Sequence, residues 1–423
     1  MNQNQHNPRV CLIAYSCSPG LGSEEGVGWG WTVGLSKYIN VTVITRKNNI
    51  GLIRKELEAR KIAPINVVGC DLPIWLRFWK RGARGAMAYH YIWQLAASRE
   101  AGALVRQGRI DIIHHLNFAV TWQPCWAAYH GNCLLGPLDG LGIIRPAFWP
   151  MLGWRNSLKE ILRGNIIWCG EHLDPFVGSS LKKCLTIICR THFVAERLLD
   201  RTGLSTDAVI PDTGLDQEDI DRLYRLSCRP GKGKRVQLIF LGRLIARKGV
   251  GLAIKSFARV ASQFHNAELI VIGDGPERRA LEELSDKLGL NSRVRFTGRI
   301  DRNQAWELLA EGDVFLYPSL RDAVATVVLE AMAAGLPVVC LEGTGPAQVV
   351  TPDIGLVARG NDEKEITDDL AVAISRLLED KDLRQKMGRC AQETVAAQHS
   401  WEARAQAMMK VYASMERRLK EHG

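Results

Sequence analysis

Two carboxylates, Asp322 and Glu330, stand eight positions apart in the stretch "YPSLRDAVATVVLEAMAAGLP" at residues 317–337. Its second half predicts a helix: Gly335 suits a C-cap and Pro337 forbids continuation. A helix beginning near Ala325 or Thr326 puts Glu330 about one turn in, with Asp322 on the loop ahead of it. Carboxylates so placed accept hydrogen bonds from sugar hydroxyls, and free N–H groups of Ala325 to Val327 can meet an anion. The same spacing also suits a cap and a packed acid with no ligand role. Ala323-Val324-Ala325 cannot enter positive φ as cheaply as glycine, so the loop must follow a β or αR path, or the site is weakened.

Cations stand upstream. In "FLGRLIARKG", Arg243 and Lys248 fall just after an apolar strand and before a helix. Arg can fork onto phosphate oxygens, Lys adds a point charge, and a helix N-terminus adds partial positive charge. A solvated surface pair would look the same. "IVIGDGPERRALEEL" has Gly273-Asp274-Gly275 but Arg278 where a dinucleotide fingerprint needs Gly or Ala, so the turn reads as a shaping element rather than an NAD site. Asp219-Ile-Asp221 has the letters of a metal motif, but it lies in the amphipathic run "QEDIDRLYRL" and reads as solvated.

These groups must be positioned by a regular framework. In the second half the strands "VQLIFLG", "AELIVIG", "RVRFTG", "DVFLYP" and "PVVCL" alternate with helices, among them 251–264 and 277–288. Alternation of this kind predicts a parallel doubly wound sheet with ligands at the strand C-terminal ends. The first half opens with the strand "RVCLIAYSC", a Gly-rich turn "SPGLGSEEG", a helix to about Tyr38 and the strand "VTVITR", followed later by "IDIIHHL" and "CLLGP". Ser23 can cap the first helix; Gly26, Gly28, Gly30 and Gly34 weaken it and suit close backbone approach to a ligand or another element. The turn-rich stretch at 211–233 reads as an interdomain hinge.

At 423 residues, two domains are expected: 1–212 and 213–399, with a helix at about 400–423 packing back on the first. Apolar content of 46% and charged content of 24% are ordinary globular values. The N-terminus lacks an apolar signal core, and eleven cysteines without CxxC pairs suggest reduced thiols in the cytoplasm. Residues 1–210 hold 24 Lys and Arg against 14 Asp and Glu, whereas 211–423 are balanced at 31 each. Ten of twelve Trp lie at or before Trp168. A basic, Trp-rich first half suggests an acidic partner or an anionic surface; no nucleic-acid motif is present. The run 72–95, with Arg77, Lys80, Arg81 and Arg84, reads either as a helix at an anionic membrane surface or as a packed helix with a solvated basic face.

The series "FLGRL…RKG", "IVIGDGPERRALE", "VRFTGRI", "DVFLYPSLRD" and "VVLEAMAAGLPVV" resembles, in order and spacing, the second domain of retaining glycosyltransferases of the GT-B fold, family 4. The resemblance is strong over about residues 236–345 and looser in the first half, through "SPGLGSEEGVGW", "DIIHHLN" and the terminal "SWE" helix. It implies two Rossmann-like domains facing a central cleft. It further implies that Arg243 and Lys248 clamp the donor diphosphate and that Gly242 belongs to the donor-binding set. Glu330 would bind the nucleotide ribose, and Asp322, where the family usually has Glu, the transferred sugar. The N–H groups of Thr326 and Val327 would meet the diphosphate, Ile300 would read the base through its backbone, and Gly22 would let the diphosphate approach. His114 and Asn117 fall at the acceptor-side strand end, with Leu116 where the family's second His usually stands.

The implied reaction moves a hexose-type sugar from a nucleoside diphosphate to a glycan or lipid-linked glycan acceptor, with retention and without a metal or other cofactor. That fits cell-surface polysaccharide synthesis in the cytoplasm, at the inner face of the membrane. The rivals are another GT-B reaction, such as epimerisation or phosphorolysis, and a degenerate transferase that binds nucleotide sugar as a scaffold subunit.

Overall fold

A computed structural model describes residues 8–20, 24–60, 62, 65–77, 85–140, 142–229 and 235–422. The chain divides into two compact units. One comprises Met1–Gly140, Asn165–Gly214 and Trp401–Gly423; the other comprises Leu141–Gly164 and Leu215–Ser400.

The first unit holds seven strands: β1 (Arg9–Ile13), β2 (Asn40–Thr45), β3 (Asn66–Gly69), β4 (Ile112–His115), β5 (Cys133–Leu138), β6 (Thr186–Cys189) and β7 (Ala208–Val209). Their order is β3-β2-β1-β4-β5-β6-β7, and every pairing is parallel. The second unit holds β8 (Val236–Leu241), β9 (Ala267–Ile272), β10 (Val294–Gly298), β11 (Val314–Tyr317), β12 (Val338–Leu341) and β13 (Gly355–Ala358), in the order β10-β9-β8-β11-β12-β13, also parallel. Leu238, Ile239 and Phe240 are buried without alternation, as a strand covered on both faces requires. In each sheet the order reverses once, between β1 and β4 and between β8 and β11. Such switch points leave a crevice at the strand C-terminal ends.

Glycines of the first helix, Glu24–Ser36, are used for packing against the chain itself. A Cβ on Gly30 would lie 2.0 Å from the Trp401 ring, and one on Gly28 would lie 2.0 Å from Ser16 O. The C-terminal helix Trp401–His422 belongs to this unit and buries Ala405, Met408 and Tyr412 there.

Several sequence expectations need correction. The expected first domain, 1–212, does not hold together as one unit: Ile144, Phe148 and Leu152 join the core of the second unit. The short strands β3, β6, β7 and β13 carried too little pattern to be foreseen. The hinge reading fails for Gln217–Ser227, a helix that buries Ile220, Leu223 and Leu226 in the second unit. Within 72–95, the helix Ala86–Arg106 buries Tyr89, His90 and Trp93, and Trp93 Nε1 donates to Cys70 O at 2.8 Å. That part is packed core rather than a membrane face, although Ile74 and Trp75 are exposed. Lys80, Arg81 and Arg84 lie outside the described residues.

Candidate functional site

The loops after β8 and β11 meet at the switch point of the second sheet. After β8 the chain passes Gly242 and Arg243, whose side chain is exposed, and makes a 3-10 turn at Ala246–Lys248. Gly249 then starts the helix Val250–Ala261 with φ 69°, and a Cβ there would lie 2.0 Å from Pro318 O. Only glycine satisfies both demands. Ser319 Oγ and Leu320 N donate to Arg247 O at 3.1 and 2.8 Å, fastening the two loops together.

Asp322 is the hub. Its Oδ2 accepts from Lys248 Nζ at 2.5 Å, from Tyr317 OH at 2.9 Å and from Ser319 Oγ at 2.9 Å. Its Oδ1 accepts from Arg247 Nη1 at 3.0 Å. Lys248 Nζ also donates to Tyr317 OH. Burial alone would push the Asp322 carboxyl up, but Lys248 and Arg247 outweigh it and hold the carboxyl below its usual value. The pair is not symmetric: Asp322 has two cations, whereas Lys248 has one carboxylate against its burial, and its ammonium is pulled below the usual value. Of the two acceptor oxygens, Oδ1 keeps room for a further donor.

The alanine loop follows an ordinary path. Among the described residues the one non-glycine with positive φ is Phe118, so none of Ala323, Val324 and Ala325 is left-handed. Val324 is buried, and Ala325 caps the helix Thr326–Ala333 at φ −71°, ψ 134° with no side-chain cap. The loop rests on Gly345, where a Cβ would lie 2.3 Å from Ala323 C. The N–H groups of Thr326 and Val327 therefore open that helix without a side-chain acceptor.

Glu330 is buried on the same helix. Its Oε1 accepts from Arg302 Nε at 3.2 Å and Nη2 at 3.1 Å, and Arg302 Nη2 also reaches Asp219 Oδ2 at 2.9 Å. The Arg302 guanidinium lies over the Trp306 ring, 4.3 Å from its centroid. Burial raises the Glu330 carboxyl, with Arg302 pulling the other way. Asp219, read from the sequence as solvated, is thus part of this relay. Ile300 follows β10 and packs on the second core. The Gly273 turn is structural: its Cβ position would lie 2.0 Å from Gly242 O.

Candidates in the first unit have other surroundings. His114 is fully buried in β4, with Nδ1 bonded to Tyr412 OH at 2.6 Å and Nε2 to Gly136 O at 2.7 Å. Burial lowers it to about 4, and both ring nitrogens are committed to the protein, so it is a core tie rather than an acceptor-facing group. Asn117 is buried and donates to Ser16 O, fixing the end of β1 against β4. Gly22 lies outside the described residues. A buried charge cluster lies at the ends of β5 and β6: Arg190 pairs with Asp139 at 3.3 Å and Asp212 at 3.1 Å. Burial pushes the nearby Glu24 carboxyl up to about 7. Cys125, Cys133 and Cys184 place their sulfurs within 4.8 Å of one another, the one metal-type grouping among the described residues.

Sequence reasoning missed Arg247, Tyr317, Ser319, Arg302 and Asp219 as members of this site. Arg247, Tyr317 and Ser319 lie within five positions of Lys248 or Asp322 in the same motifs. Arg302 gave no signal, because its partner Glu330 is 28 positions away.

Two parallel sheets, each with a single switch point, make up the GT-B fold. Residues 229–394 match the glycosyl transferases group 1 family. The lipopolysaccharide core biosynthesis glycosyltransferase LpsD of Rhizobium meliloti is 34% identical over 177 residues, 41% of this chain and 48% of that protein. The GDP-mannose-dependent alpha-(1-6)-phosphatidylinositol monomannoside mannosyltransferase of Mycobacterium tuberculosis is 30% identical, over 48% of this chain and 52% of that one. The chain thus spans about half the length of the curated relatives it matches. Sucrose-phosphate synthase of Thermosynechococcus elongatus shares the fold, with TM-score 0.65 and 18% identity over 99% of this chain and 100% of that one.

Proposed function

We propose that this protein is a glycosyltransferase that moves a hexose-type sugar from a nucleoside diphosphate sugar to an acceptor hydroxyl, retaining the anomeric configuration without a metal. The observation that carries this reading is the convergence of Lys248, Arg247 and Asp322 at the switch point, on the loop that leads into the helix opening at Thr326. In the reaction, the acceptor oxygen bonds to the anomeric carbon as the bond from that carbon to the phosphate oxygen breaks. The diphosphate leaves with the electron pair, and the acceptor proton passes to a leaving phosphate oxygen.

Negative charge grows on the leaving group. Arg243, Lys248 and the Thr326 and Val327 N–H groups are the donors suited to meet it. Pre-fixing matters, because a cation already held by Asp322 and Tyr317 needs little reorganisation as charge develops. Asp322 Oδ1 has acceptor room for a sugar hydroxyl, and Glu330 for the ribose. Gly242, Ile300 and Gly22 complete the donor assignment, and Asn117 stays on the acceptor side.

The acceptor is a glycan or lipid-linked glycan, and the setting is cell-surface polysaccharide synthesis at the cytoplasmic face of a membrane. Support comes from the relatives, named for lipopolysaccharide core and phosphatidylinositol mannoside chemistry, and from the basic first half of the chain. No described helix is long and apolar enough to cross a membrane.

The test is a panel of nucleoside diphosphate sugars read by thermal shift, followed by transfer assays with the donors that bind, with and without chelator. A donor should raise the melting temperature by mass action and support transfer in chelator. Binding without turnover across many acceptors would favour a scaffold role. Absence of any binding donor would overturn the reading.

A further inference from the structure

The helix Trp154–Leu173 is amphipathic with its apolar side outward. Glu160, Gly164, Ile167, Gly170 and Glu171 fall on its buried or half-buried side. Both carboxylates there are neutralised: Glu160 by Arg321, and Glu171 by Arg197 at 3.1 Å and Arg201 at 3.3 Å. The opposite side presents Trp154, Leu158, Leu162, Ile166, Trp168 and Leu173, each between 50% and 74% exposed. At 3.6 residues per turn these six fall on about half the circumference. A water-facing helix side should be mostly polar, so six large apolar side chains on one side, broken only by Arg155, Asn165 and His172, mark an interaction surface.

Charge narrows the partner. The exposed Arg and Lys residues on this helix, Arg155 and Lys159, have no exposed Asp or Glu beside them on it. The next helix, Pro175–Lys183, adds exposed Phe176, Lys182 and Lys183. Indole rings near both ends, aliphatic side chains between them and basic groups beside them suit the boundary between headgroups and acyl chains. A second copy of the chain fits less well, because in a two-fold contact the same face would offer Arg155 and Lys159 no exposed carboxylate to pair with.

We propose that the outward face of the Trp154–Leu173 helix docks on an anionic lipid bilayer, lying in the plane of the headgroups. This surface differs from the 72–95 run, and its test needs neither donor nor acceptor, so it stands or falls apart from the transferase reading.

The experiment is flotation of the full chain with phosphatidylcholine vesicles, with and without phosphatidylglycerol. A solvatochromic dye on the exposed Cys169, in a Cys228→Ser background, reports insertion. Binding should require phosphatidylglycerol, weaken with added salt and shift the dye to the blue. The double variant Leu158→Ser, Ile166→Ser should lower the bound fraction by about tenfold or more. Both positions are exposed, so its melting temperature should match the parent. Arg155→Glu with Lys159→Glu should weaken binding mainly at low salt. Unchanged flotation of the serine variant, or no flotation of the parent, would overturn the proposal. So would a parent that sediments as a dimer and dissociates on the serine substitutions, since a second copy would then cover the face.

Discussion

Lys248 Nζ lies 2.5 Å from Asp322 Oδ2 and joins the loop after β8 to the loop after β11, across 74 positions of chain. The same oxygen also takes Tyr317 and Ser319, so the ammonium is held by a carboxylate that is itself held. A cation fixed in this way is aimed before any ligand arrives.

Removing that cation should be felt in turnover. Lys248→Ala is expected to lower kcat on the order of a hundredfold or more, the usual effect of deleting a group that stabilises a leaving charge. Arg243→Ala should act in the same direction. Steady-state kinetics with the best donor from the thermal-shift panel checks both, and near-normal kcat in the two variants would refute the assignment.

The pair should also be visible in stability against pH. The folded Asp322 carboxyl sits below its usual value, so its contribution is present above the unfolded value of about 3.9 and is lost as pH falls through the folded one. Asp322→Asn should therefore cost stability at pH 7, by up to about 3–5 kcal/mol, the range for stranding a buried partner. The gap from the parent should close as pH drops below about 4. Denaturant unfolding at several pH values measures it, and a pH-independent gap would contradict the ion pair.

Glu330 has the opposite sign. Its carboxyl is raised by burial, so ionisation costs stability that is fully present below the unfolded value of about 4.3 and is lost as pH rises through the folded one. Glu330→Gln should gain melting temperature relative to the parent as pH rises from 4 towards 8, while weakening donor binding. A variant that binds donor as well as the parent would remove Glu330 from the ribose.

Glu24 offers a similar test in the first unit. With its carboxyl pushed up to about 7 beside Asp139 and Asp212, stability from its protonated form should fall as pH rises through about 7. Glu24→Gln should flatten the melting temperature between pH 5 and pH 8.5. An equal slope in parent and variant would show that the carboxyl ionises freely.

Gly249 tests the loop geometry. At φ 69°, with Pro318 O 2.0 Å from any Cβ, Gly249→Ala should cost more than the roughly 1–2 kcal/mol of a left-handed alanine, because the Lys248 turn must also move off the β11 loop. Thermal unfolding and kcat should fall together. A stable variant with normal kcat would mean the turn tolerates displacement.

Much of this was legible in residue order. The apolar runs 238–241, 269–272 and 314–317, each followed by a glycine or a proline, identify buried parallel strands, and the cations and acids fall at their C-terminal ends. The short strands β3 and β7 gave no such pattern. The reading of His114 failed for a definable reason: a strand-end histidine looks alike whether it faces a ligand or a partner 298 positions away. The alanine loop went the other way, since its sequence raised a question of strain that negative φ at 323–325 answers.

Read alone, the chain declares its alternating elements, its special turns and the order of its charged motifs, because propensity, periodicity and positive φ act over a few residues. Tertiary structure alone decides the pairings. It sets Lys248 on Asp322, Arg302 between Glu330 and Asp219, Arg321 on Glu160, and the apolar side of 154–173 outward. Those depend on which distant segments the sheets bring together and which they leave uncovered, and no local rule encodes that closure.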